Sequence, residues 1–195
     1  MAHEKYHTEA LLLGSHSFGE NSRIGILFTE RFGLLRAVCQ GSRKHSSKLN
    51  FHLGVPSRCE ATLVRGKEYW RLVGANEGEL YWKTFESERK KLEALSRLFH
   101  FLPRFIHGEG SGDVIYPLLG EFVSSLKNIE ESNVLLLEGL ALGRILRELG
   151  YFPDSEELAF LFVENIFSEN LIHEARGKEK LLFTAINTAI SESHL

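Results

Sequence analysis

The spacing of the apolar residues changes once along this chain, near Trp82, and that change constrains the fold more than any other feature. Before it, apolar residues come in short runs broken by Gly, Asn, Ser and charged turns. Thr8–Ser15 is one such run. In Arg23–Thr29, Ile24, Ile26 and Phe28 fall on one face, with Arg23, Gly25 and Leu27 on the other. Glu30–Gly33 supplies a turn. Leu34–Gln40 returns with Leu34, Arg36 and Val38 on one side and Leu35, Ala37 and Cys39 on the other. Gly41–Asn50 is a loop by composition. Arg58–Val64 and Tyr69–Val73 then form a hairpin around Arg65-Gly66-Lys67.

After Trp82 the apolar residues recur every three or four positions. Thr84–Leu102 does so at 85, 92, 95, 98, 99 and 102 and is predicted to end before Pro103. Val114–Leu126 is a second helix, with Pro117 tolerated near its first turn. Asn133–Leu149 is a third, closed by Gly150 and Pro153. Glu156–Phe167 and Glu179–Ile190 are predicted as two more. His107–Gly112, rich in glycine, is expected to be a flexible linker. Five short strands with no helical pattern between them predict a small closed barrel, and the OB-fold is the five-stranded barrel most used for single-stranded nucleic acid. The expected class is therefore α+β: an OB-fold barrel over residues 1–82, followed by an α-helical domain over 83–195.

Charge divides the chain at the same place. Residues 1–83 hold 12 Lys and Arg against 8 Asp and Glu, and residues 84–195 hold 11 against 18, which together give the net charge of -3. Between Glu30 and Glu60 there is no acidic residue, while Arg31, Arg36, Arg43, Lys44, Lys48 and Arg58 all fall in that gap. A basic stretch in an acidic chain is a local electrostatic footprint, and its usual partner is a polyanion. Arg43, Lys44 and Lys48 share a loop with small polar neighbours, where long cations can follow a phosphate backbone without reading bases. Arg36 and Arg58 extend the track from adjoining strands. Arg71 lies opposite Trp70 and Leu72, which alternate toward the core. Arg23 either touches phosphate or pairs with Glu20. Tyr69, Phe51 and Phe32 are candidates for base stacking, with barrel core as the alternative for each aromatic ring.

Other chemistry finds no foothold. There is no Gly-x-Ser-x-Gly, no Walker A sequence, no dinucleotide fingerprint and no His-Glu-x-x-His, so catalytic residues are not assigned. Cys39, His45, His52 and Cys59 have the right types for a metal but match no compact zinc spacing, so no metal or cofactor is expected. No apolar run reaches the roughly 18 residues of a membrane span. A polar N-terminus and two cysteines favour the cytoplasm.

Taken in register, Thr8-Glu9-Ala10, Gly19-Glu20-Asn21-Ser22-Arg23-Ile24, Leu27-Phe28-Thr29, Gly33-Leu34-Leu35, Gly41-Ser42-Arg43-Lys44 and Ser47-Lys48 resemble the N-terminal barrel of the RecO family of bacterial recombination mediators. Leu142–Asp154, with its Leu-Gly-Tyr-Phe-Pro turn, is similar to the family's helical half. The resemblance implies an OB-fold followed by helices. It also implies binding of single- and double-stranded DNA, annealing of complementary strands, contact with RecR, loading of RecA, and docking on the C-terminal tail of single-strand DNA-binding protein. The chain departs from the family in having no cysteine past Cys59, where many members carry four zinc ligands, and in having Ser46 at a position commonly cationic. It is also shorter after residue 154 than is usual for the family.

A short acidic peptide ending in a carboxylate is typically held by an apolar cleft with arginines at its rim. Arg144 and Arg147 on the third predicted helix, and Arg97 and Arg104 beside the first, are the candidates for that rim. Ordinary helix pairing, such as Arg144 with Glu148, is the alternative. The function expected is a non-catalytic DNA repair and recombination mediator. The second hypothesis is a protein-interaction adaptor of the same fold that binds DNA weakly.

Overall fold

The computed structural model describes residues 4–40, 54–110, 112–163 and 166–193. In chain order the elements are β1 (Lys5–Phe18), β2 (Ser22–Thr29), β3 (Gly33–Cys39), β4 (Ser57–Arg65), β5 (Trp70–Leu80), α1 (Tyr81–Thr84), α2 (Arg89–Phe105), α3 (Gly112–Asn128), α4 (Val134–Glu148), α5 (Glu169–Arg176) and α6 (Glu179–Glu192).

The five strands close into a barrel in the order β1-β2-β3-β5-β4. The long β1 makes this possible by serving two neighbours. Its first part pairs with β4, from Lys5↔Val64 to Leu12↔Ser57, and its second with β2, from Ala10↔Thr29 to Phe18↔Ser22. An irregularity between Leu12 and Gly14 lets the strand bend between the two partners. A short parallel join, Ala37↔Trp70 and Val38↔Arg71, seals the ring between β3 and β5. This is the OB-fold expected from the strand pattern, set ahead of a helical half.

A narrow bore selects small side chains. Ala10, Ala37, Ala61 and Ala75 line it, with Leu12, Leu27 and Trp70 filling the remaining space. At Gly25 a Cβ would lie 3.3 Å from both Leu12 Cδ1 and Leu27 Cδ1, so β2 carries glycine where three strands converge. Cys39 and Cys59 point into the same bore, and burial pushes both thiols up to about 11. Both cysteines are expected to resist alkylation near neutral pH in the folded protein and to react on adding denaturant, as mass spectrometry would record. The raised values also fix a sign. The stability that the protonated thiols contribute is intact below their ordinary value near 9.0 and is lost as pH rises toward about 11. Urea midpoints should fall over that window.

The barrel is not sealed off from the helices. Leu11, Leu13 and Phe28, on the outer wall of β1 and β2, belong to the same core as Tyr81, Phe85, Phe99 and Phe122. That is why β2 is apolar on both faces: Leu27 fills the bore while Phe28 packs against the helical half. Fully burying a side chain of Phe size contributes about 1.5–3 kcal/mol, so this seam is strong.

Three expectations for the second half are corrected. Pro103 lies inside α2, which continues to Phe105. Phe101, Leu102, Phe105 and Ile106 are all buried, and that packing outweighs the backbone bond that Pro103 cannot make. Glu156–Phe167 is not a helix; its described residues contain only a 3-10 turn at Ala159–Phe162. Two carbonyls there, of Leu161 and Ile166, accept hydrogen bonds from the Arg144 side chain. In its place α5 forms at Glu169–Arg176, started by Ser168, whose hydroxyl accepts from the Leu171 N–H at 3.2 Å.

The connection His107–Gly112 is no free linker either. Gly110 bridges to Gly33 in parallel fashion, and its N–H donates to the Phe32 carbonyl at 3.2 Å. Glu109 accepts from Trp70 Nε1 at 3.1 Å and from Arg65 at 3.2 Å. Gly33 sits at φ +67°, and a Cβ there would fall 1.9 Å from the Gly110 carbonyl oxygen. Replacing Gly33 with Ala should therefore destabilise the chain by about 2 kcal/mol or more, from left-handed backbone and the forced loss of this bridge. Urea unfolding measures the loss, and limited proteolysis should show new cleavage at 107–112.

Candidate nucleic-acid interface

Alternation along β3 puts Leu35, Ala37 and Cys39 in the bore and leaves Arg36 exposed on the outer wall. On β5, Trp70 and Leu72 point inward and Arg71 takes the outer side. The parallel join pairs Val38 with Arg71, so Arg36 and Arg71 stand one diagonal step apart across adjoining strands. Arg71 is half-buried, with its Nε enclosed and unpartnered. Arg23 opens the mouth of the barrel, paired in register with Cys39 on one side and Ser17 on the other. It makes no ion pair with Glu20, and among the described residues no carboxylate pairs with Arg23, Arg36 or Arg71.

Tyr69 immediately precedes Trp70 and is exposed. Phe32, the other described stacking candidate, is half-buried against Trp70 and Tyr6, with ring centroids 5.0 and 5.4 Å away. It is a packing residue against the barrel core. Its neighbour Arg31 lies over the Tyr6 and Phe32 rings. Arg43, Lys44, Lys48 and Phe51 lie outside the described residues. Their segment leaves β3 at Cys39, beside Arg23.

Arg58 stands apart from this face. It projects from β4 toward the helical half and pairs with Glu9, whose other oxygen accepts from the Tyr116 hydroxyl at 3.2 Å. Burial, and then the Glu9 charge, raise the pKa of Tyr116, so that phenol stays protonated and donating. Close by, Lys127 pairs with Glu79 at 2.8 Å. These groups line a cleft of about 440 Å³ between barrel and α3. Arg58 thus has its charge committed to the seam between the two halves, and it does not share one wall with Arg36.

In the helical half the four rim candidates separate. Arg97 is bidentate to Glu138, at 2.8 and 2.6 Å. Arg144 is 5% exposed, over the Phe167 ring and bonded to the Leu161 and Ile166 carbonyls; it does not pair with Glu148. Arg147 lies over the Phe162 ring at 4.8 Å and lines a cleft of about 220 Å³ with Phe152, Pro153, Asp154 and Glu156. Arg104 is exposed on α2 without an ion pair among the described residues. The structure therefore does not gather the four arginines into one rim.

One aromatic residue went unnoticed in the sequence. Phe18 ends β1, is exposed, and lies with its ring centroid 6.3 Å from that of Tyr69. An aromatic residue directly before the Gly19-Glu20-Asn21 turn was the available signal. Among the described residues no three His, Cys, Asp or Glu side chains converge to hold a metal ion, and no helix is long and apolar enough to cross a membrane.

Comparison with known proteins bears on the barrel first. The family model "Recombination protein O N terminal" matches residues 1–77, which take in β1 to β4 and most of β5. Proteins named "DNA repair protein RecO" match further along the chain. That of Thermoanaerobacter sp. is 22% identical over 151 residues, covering 75% of this chain and 58% of the relative. That of Nostoc sp. is 26% identical over 151 residues, covering 76% and 51%. That of Dehalococcoides mccartyi is 26% identical over 157 residues, covering 79% and 60%. The chain therefore spans roughly half to three-fifths of the length of these curated relatives. The barrel is thus matched by the RecO family's own N-terminal model, and the similarity to RecO proteins continues into the helices.

Proposed function

We propose that this protein is a non-catalytic DNA repair and recombination mediator that binds single- and double-stranded DNA through its barrel and promotes annealing of complementary strands. The observation that carries the proposal is the unpaired Arg36 and Arg71 on adjoining outer strands, beside the point where the acid-free basic segment leaves β3. Elsewhere in the described residues, Arg58, Arg65, Arg89, Arg97 and Lys127 are each neutralised by a carboxylate. Cations left without internal partners are free to displace counterions from a phosphate backbone.

Annealing follows from the same physics. A cationic wall lowers the repulsion between two strands, and base pairing supplies the specificity. Arg23, Arg43, Lys44 and Lys48 complete the proposed track, with Tyr69 at its edge. In keeping with the RecO family it resembles, the protein would act with RecR to help load RecA on single strands, in the cytoplasm and at the nucleoid. Docking of the tail of single-strand DNA-binding protein would fall to Arg147 and Arg104, because Arg97 and Arg144 are engaged internally. The acidic helical half, the absence of any cysteine past Cys59 and Ser46 at a commonly cationic position favour the second reading, a protein-interaction adaptor with weak DNA binding that docks single-strand DNA-binding protein or RecR.

A strand-annealing assay with complementary labelled oligonucleotides separates the two. The mediator accelerates pairing well above the spontaneous rate. An adaptor leaves that rate unchanged, and such a result would count against the proposal.

A further inference from the structure

Phe18 and Tyr69 are 43% and 48% exposed, and their rings face each other at a centroid separation of 6.3 Å and an angle of 57°. Of the aromatic rings that the described residues leave exposed, Trp82 is covered by the Lys83 ammonium at 5.3 Å. Among the described residues, Phe18 and Tyr69 have only each other's ring. They come from separate hairpins: Phe18 is the last residue of β1, and Tyr69 closes the β4–β5 connection by accepting from the Gly66 N–H at 3.1 Å. Each brings a cation with it. Ser22 lies opposite Phe18, which puts Arg23 next along β2. Trp70, the residue after Tyr69, is paired with Ala37, the neighbour of Arg36.

We infer that the Phe18–Tyr69 pair is a base-stacking platform that makes this barrel prefer unpaired nucleotides over duplex. The inference rests on the DNA-binding reading above and adds its strand selectivity. Arginine contacts to phosphate do not distinguish single from double strands strongly, because both present the same anion. An exposed ring does distinguish them: bases inside a duplex have both faces covered by neighbours, whereas an unpaired base can leave its stack and lie on an aromatic side chain. Both rings are close to half exposed, and Arg23 and Arg36, neighbours in register, would hold the backbone beside them.

The test uses the full chain with three probes of equal length: a thymidine strand, an abasic strand with the same phosphates, and a duplex. The native protein should bind the thymidine strand more tightly than the abasic one. The double variant Phe18→Ala, Tyr69→Ala should lose about tenfold or more in affinity for the thymidine strand while keeping its affinity for the other two. Circular dichroism confirms folding, and a Phe18→Trp variant gives an independent reading. The indole fluorescence introduced by that change should be quenched by the thymidine strand and not by the abasic strand. Equal losses on all three probes, no loss on any, or indole emission that the thymidine strand leaves unquenched would overturn the inference and leave DNA binding standing. Failure of the native chain to bind any of the three would remove the DNA-binding reading and this inference together.

Discussion

Replacing Arg36 and Arg71 by glutamate is expected to weaken DNA binding by about a hundredfold at moderate salt, on single and double strands alike. On the proposed track each reversal would remove one phosphate contact and add a repulsive charge to the wall. A phosphate contact alone accounts for about 0.7 in the salt slope on single strands. The slope for the double variant should therefore fall by more than one unit. Both residues lie on the outer wall, away from the bore, so folding should survive. The matched control is Arg58→Gln, which breaks the Glu9 pair. Because Arg58 is partly exposed, that pair is worth about 0–1 kcal/mol, and DNA affinity should barely move. If Arg58 and Arg36 mattered equally, the track would have to cross the barrel seam.

The second large effect concerns stability. Arg144→Ala should destabilise the protein by about 3 kcal/mol or more, measured by urea unfolding. The Leu161 carbonyl accepts from both Nε and Nη2 of Arg144, at 3.3 and 3.1 Å, and the Ile166 carbonyl accepts at 3.4 Å. Losing the donor leaves these acceptors without it, at about 1–3 kcal/mol for each that stays buried, and empties the space over Phe167. Lysine should not rescue the loss, since a single ammonium cannot fork between two carbonyls. Arg147→Ala, which removes only a guanidinium over Phe162, should cost less than about 1 kcal/mol. A reversed ranking would mean that Arg144 is a surface group after all.

These two arginines also mark where the sequence was legible. Alternation on β3 assigned Arg36 to the outer face, because a strand with one side in a barrel bore has little freedom of register. The same logic held for Trp70 and Leu72 on β5. The signal at Arg144 is its place in the helix. It lies seven residues after Leu137 and three after Ala141, both fully buried, and so on the inward stripe of α4. A cation on such a stripe is held by backbone acceptors from elsewhere, and no periodicity reveals which. The Arg58 pair with Glu9 was hidden for a similar reason: strand alternation fixes the side but not the neighbour, and Glu9 and Tyr116 arrive from elements distant in sequence. Helix ends were least legible where packing overrides local preference, as Pro103 in α2 shows. The glycine-rich 107–112 segment looked unconstrained because its partners, Gly33 and Trp70, belong to the barrel.

The most direct test of the barrel as a phosphate-binding wall is fluorescence anisotropy of a labelled oligonucleotide, titrated with the native chain across a salt series. Contact through Arg23, Arg36, Arg71 and the basic segment after Cys39 predicts a linear fall of log affinity with log salt, with a slope of about -2 or steeper. A salt-independent affinity, or no binding at low salt, would contradict it.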